Sequence, residues 1–102
     1  MSDTVHVIAV LTTRAGARAE VLAAFAENLP AVLAENGCLK YVPTVDHDDT
    51  TAPYGDDVIV VVEEWQTAAD LEAHRVAPHM QAFGARVAEH IVDRAIHIMA
   101  AP

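Results

Sequence analysis

Apolar and polar positions change period several times along the chain, and each change predicts an element. From Val5 to Thr12, Val5, Val7, Ile8, Val10 and Leu11 are apolar on both faces and mostly β-branched. That pattern predicts a strand covered on both sides. After the turn Arg14-Ala15-Gly16, Val21, Leu22, Phe25, Leu29, Val32 and Leu33 recur by threes and fours. This spacing predicts a helix over residues 17–36, with Glu20, Glu27 and Glu35 off the apolar stripe. Pro30 inside the pattern removes one backbone hydrogen bond and predicts a kink. Gly37 suits a left-handed helix end.

A second strand is expected over residues 38–46, and Pro43 points to an edge position or a bulge. A polar loop follows to Asp57, rich in acids and holding Pro53 and Gly55. Val58 to Trp65 is the strongest strand pattern, with five β-branched residues before Glu63, Glu64 and Trp65. Thr67 with Asp70 three positions on is a capping pair that opens a short helix. Pro78 ends that helix and starts another, expected to run to about Glu89 with Met80, Phe83 and Val87 apolar. Ile91 to Met99 is the last strand, centred on Ile96 and Ile98. The order β-α-β-β-α-(α)-β predicts one α+β domain spanning residues 1–102. It is a ferredoxin-like split βαβ fold: an antiparallel sheet with helices on one face. Helices on one face leave the other apolar face of Val5–Leu11 and Val58–Val62 without cover. A second copy of the chain packed sheet to sheet is the expected cover, a homodimer.

Composition narrows the partners. The chain has 102 residues, 53% of them hydrophobic, and a net charge of −9, which fits one folded acidic domain. Acidic charge opposes a phosphate backbone, so no nucleic-acid partner is expected. No apolar run reaches the ~20 residues of a membrane span, so no membrane partner is expected. One cysteine excludes an internal disulfide framework. With no basic leader in the first residues, a cytoplasmic location is the expectation.

Metal sites fare poorly. His74 and His79 are five apart across Pro78, not at the helical i, i+4 spacing. His6 and His97 fall on neighbouring strands of this fold without a carboxylate. The loop from Asp46 has Thr51 where a calcium loop needs glycine. Glu63 and Glu64 alternate in direction and cannot act as paired carboxylates. Cys38 is expected to be structural.

Gly37-Cys38-Leu39-Lys40-Tyr41 resembles a GC-x-x-Y signature, and Glu63-Glu64-Trp65 with Leu71, His74, Pro78-His79 and Phe83 resembles an EEW…L…H…PH…F signature. Together these resemble the antibiotic biosynthesis monooxygenase superfamily over nearly the whole chain. Tyr41 to Asp46, Leu71 to His74 and Pro78 to Met80 are most similar to its quinol monooxygenase branch. The resemblance implies a dimeric α/β barrel. It also implies oxygenation of a small dihydroxy-aromatic substrate by O₂ with no cofactor. A deprotonated hydroquinone is electron-rich enough to reduce O₂ itself, so the protein supplies a base, an apolar pocket and orientation.

On this resemblance His74 is the base or proton shuttle, three residues after Leu71 and four after Asp70, which is placed to hold its ring. His79 and Arg86 orient or stabilise an anion. Trp65, Phe83, Val61, Glu63 and Leu71 shape the pocket. The polyketide oxygenases of the family have asparagine where Val61 stands and tyrosine near Leu71, and haem-degrading relatives have asparagine where Ala9 stands. These departures favour the quinol branch. Two alternatives stay open: a cofactorless isomerase or tautomerase of a small keto compound, and a non-catalytic ligand-binding stress-response domain. The expected scarcity of arginine near the pocket speaks against a phosphorylated ligand.

Overall fold

The computed structural model describes residues 3–102. Four strands and three helices follow in the order β1 (Val5–Thr13), α1 (Arg18–Leu33), β2 (Cys38–Thr44), β3 (Val58–Trp65), α2 (Ala68–Arg75), α3 (Pro78–Val87) and β4 (Ile91–Ala100). A single 3₁₀ turn at Ala88–His90 joins α3 to β4. The strands form one antiparallel sheet in the order β2-β3-β1-β4. This is the ferredoxin-like α+β fold.

Alternation along the two central strands divides the sheet into unlike faces. Val7, Ala9, Leu11 and Thr13 of β1 are buried, as are Ile59, Val61, Glu63 and Trp65 of β3. These residues meet Val21, Ala24, Phe25 and Val32 of α1, Leu71 of α2 and Val87 of α3 in one core. The in-between residues Ile8, Val10, Val58, Val60 and Val62 are only half-buried. They form an apolar field on the opposite face. β4 pairs with β1 alone, and Ile96 and Ile98 stay 45% and 52% exposed.

Local rules account for the joints. β2 is an edge strand, and its pairing with β3 slips between Cys38 and Lys40. Pro43 is tolerated there because the amide it lacks has no second strand to bond. Thr67 accepts a hydrogen bond from the Asp70 amide at 3.1 Å and so caps α2. Ala77 is extended and Pro78 opens α3, as the missing N–H of proline allows. Gly37 has φ +77°, and a Cβ built on it would lie 2.1 Å from Asp70 Oδ2. Glycine is required there twice over, by backbone angle and by space.

Two boundaries that differ from the sequence expectation bear on the site and its neighbouring loop. α1 passes through Pro30 and ends at Leu33 instead of Asn36. The Glu35 amide donates to Val32 in a tight turn, and Leu33 is 53% exposed instead of packed. β2 ends at Thr44, so Asp46 belongs to the loop. Its carboxylate accepts from the amides of Tyr54 and Gly55 at 3.1 and 2.8 Å, and these bonds hold its pKa below the usual carboxylate range.

Candidate active site

Under α2 and α3 the helix-side sheet face leaves a cavity of about 440 Å³, in the range of small-molecule sites. Val7, Ala9, Leu11 and Val61 form its sheet wall. Phe25 and Phe83, with ring centroids 4.7 Å apart, form part of the opposite wall with Leu71 and Met80. Polar groups gather at one end: Tyr41, Glu63 and His74. The register explains two of them, because Tyr41 of β2 lies directly opposite Glu63 of β3.

His74 is 5% exposed, and its Nδ1 lies 2.8 Å from Glu35 Oε2. The same carboxylate oxygen lies 2.9 Å from His79 Nε2. Glu35 is thus the partner of His74. Asp70, offered by the spacing, instead accepts from Thr67 Oγ1 at 2.9 Å and from the side-chain Nδ2 of Asn36 at 3.2 Å. The imidazole of His74 is boxed by Trp65 at 4.5 Å and by Tyr41, edge-on, at 5.5 Å between centroids. Trp65 Nε1 donates to Glu63 Oε1 at 3.0 Å.

Burial dominates the electrostatics. It pushes the Glu63 carboxyl above its ordinary pKa, partly offset by the Trp65 hydrogen bond and by His74. It raises Tyr41 far above its ordinary value, with Glu63 and Glu35 adding to the effect. The Tyr41 hydroxyl therefore stays protonated and can donate a hydrogen bond. Burial and the same two carboxylates also raise the Cys38 thiol. That is the wrong direction for a nucleophile.

The expected residues divide into three positions. His74, Glu63, Val61, Leu71 and Phe83 line the cavity. Trp65 is fully buried behind His74, outside the lining. His79 and Arg86 are also outside the lining. His79 reaches Glu35 from the solvent side, and Arg86 is exposed and paired with Glu27 of α1. Two arginines do line the cavity, Arg75 and Arg94, so the expected scarcity does not hold. Glu35 and Tyr41 were not singled out for the site by sequence. Among the described residues no group of three or more His, Cys, Asp or Glu could hold a metal ion, and no helix is long and apolar enough to cross a membrane.

Fold and site together define a small ferredoxin-like protein with a histidine–carboxylate pair beside an apolar, ring-sized cavity. Residues 4–86 match the family model described as antibiotic biosynthesis monooxygenase, and the chain belongs to that family. It is 40% identical over 100 residues to the Escherichia coli K12 protein named "Probable quinol monooxygenase YgiN", covering 91% of this chain and 93% of that one. Rv0793 from Mycobacterium tuberculosis has a similar structure, with a TM-score of 0.81 at 26% identity over 97% of this chain and 95% of that one. PA3566 from Pseudomonas aeruginosa shares the fold, with a TM-score of 0.82 at 22% identity over 100% and 97%.

Proposed function

We propose that the protein is a cofactor-independent monooxygenase that oxidises a quinol or similar dihydroxy aromatic with O₂. The observation that carries this reading is the buried His74, tied through Nδ1 to Glu35, at the polar end of an apolar cavity. The name of the Escherichia coli relative supports the same substrate class.

In this reading a hydroquinone and O₂ give a hydroxyquinone and water. The ring gives up four electrons; one oxygen atom enters it and the other leaves as water. His74 takes the phenolic proton and thereby makes the ring a reductant. Val61, Leu71 and Phe83 hold the ring in a space that also suits O₂. Tyr41 donates a hydrogen bond to a ring oxygen, and Glu63 borders the same end. Trp65 keeps His74 in place from behind. Arg86 serves the α1–α3 contact instead of an anion.

The apolar field of Ile8, Val10, Val58, Val60 and Val62 supports a homodimer closed sheet to sheet, which completes the barrel. The single cysteine fits a reducing compartment such as the cytoplasm.

The test is oxygen uptake by purified, metal-free protein with a naphthohydroquinone, measured above autoxidation. His74→Ala is expected to lower the rate by about 10²-fold or more, as loss of a general base does. No uptake, or uptake indifferent to His74→Ala, would sink the assignment. Anaerobic proton exchange on a keto compound would point to the isomerase instead.

A further inference from the structure

We propose that Glu35 is a positioning residue: it holds His74 in the Nδ1–H tautomer, so that a bare Nε2 is the nitrogen offered to the cavity. This rests on the reading of His74 as the base.

A carboxylate only accepts hydrogen bonds. Two nitrogens that approach its Oε2 at 2.8 and 2.9 Å must each bring a hydrogen. In the neutral ring His74 is then protonated at Nδ1, and its second nitrogen keeps the lone pair that a base needs. Rotating the ring by half a turn would replace Nδ1 with a carbon and forfeit the bond to Glu35. Trp65 and Tyr41, packed against the ring, also oppose that rotation.

Glu35 is itself held. Its amide donates to Val32 at 3.0 Å, and its carbonyl accepts from the Cys38 amide at 3.3 Å. The carboxylate is carried by a turn bonded at both ends, next to the constrained Gly37. It is also shielded, with a side chain only 12% exposed. Asp70 is already occupied by Thr67 and Asn36 and cannot replace it. His79 adds the second donor from the outer side, where its side chain is 29% exposed. Its contribution to the site therefore runs through Glu35, without contact to a ligand in the cavity.

Imidazole-¹⁵N-labelled protein tests the assignment directly. Two-bond ¹H–¹⁵N correlation spectra, taken where the ring is neutral, report which nitrogen of His74 carries hydrogen. The native chain should show Nδ1–H. Glu35→Leu, which removes the acceptor, should move His74 to the Nε2–H form that free imidazole side chains favour. Nε2–H in the native chain, or no change in Glu35→Leu, would overturn the proposal. The native spectrum alone decides if Glu35→Leu fails to fold.

Kinetics give a second readout. Glu35→Gln should lower kcat about 10²-fold with KM changed less than about twofold, and Glu35→Asp should recover part of the loss. Equal losses in Glu35→Gln and Glu35→Asp would count against positioning. The spectra need no turnover. Absent oxygen uptake would defeat the proposed function, while the tautomer would still stand or fall by itself.

Discussion

Gly37→Ala is the most exacting probe of how the site is built. Alanine must adopt φ near +77°, which costs a residue with a Cβ about 1–2 kcal/mol. The new methyl also falls 2.1 Å from Asp70 Oδ2 and 2.7 Å from Asp70 Cβ. Turning the carboxylate aside does not clear the second contact, so the first turn of α2 must move. That movement disturbs the Asp70 bonds to Thr67 and Asn36, worth about 1 kcal/mol together at this partly exposed position. The sum is about 2–3 kcal/mol, a large share of the ~5–15 kcal/mol that stabilises a domain. At about 4–8 °C per kcal/mol for a chain of this size, Tm should fall by roughly 10–20 °C.

Thermal and urea unfolding followed by circular dichroism measures the loss. Gly16→Ala is the internal standard: φ is +79°, but nothing lies within 4 Å of its Cβ. It should show the backbone cost alone. Asp70→Gly in the Gly37→Ala background removes the obstruction, Cβ included, so the double variant should lose less than the two single losses added. Equal Tm losses for Gly37→Ala and Gly16→Ala, with an additive double variant, would refute the steric reasoning.

Two further outcomes follow from other parts of the molecule. Val62→Glu puts a charge in the apolar sheet face opposite Ile8 and Val42; sedimentation should find the native protein as the proposed dimer and the variant as single chains, and a variant that still dimerises would remove that face from the interface. Burial raises Glu63, so between the ordinary carboxylate pKa and its raised one the folded chain binds more protons than the unfolded chain. Stability should therefore fall as pH rises through that window. Glu63→Gln should raise Tm at neutral pH and give no gain in acid, and a gain that persists in acid would contradict the argument.

What could be read from sequence was what local rules govern. Continuous β-branched runs, apolar on both faces, located β1 and β3, and Pro43, Thr67 and Pro78 each marked a joint that the structure contains. The site was less legible because its central contact depends on where a helix stops. On a helix continued to Asn36, Glu35 lies away from the apolar stripe; α1 stops at Leu33, and the turn carries Glu35 to His74 and His79. Tyr41 needed the strand register to be seen beside Glu63. Arg86 shared a helical spacing with His79 and Phe83, but spacing does not say which neighbour the stripe meets. At Arg86 that neighbour is Glu27.

The indole of Trp65 has an experimental use. It is the chain's single tryptophan, fully buried, bonded through Nε1 to Glu63 and lying against His74. Its emission therefore comes from one place, next to the proposed base. A protonated imidazole quenches a neighbouring indole, and a ring entering the cavity changes what surrounds that imidazole. Intrinsic fluorescence of the unlabelled protein can thus report ligand entry beside His74, before a substrate is known.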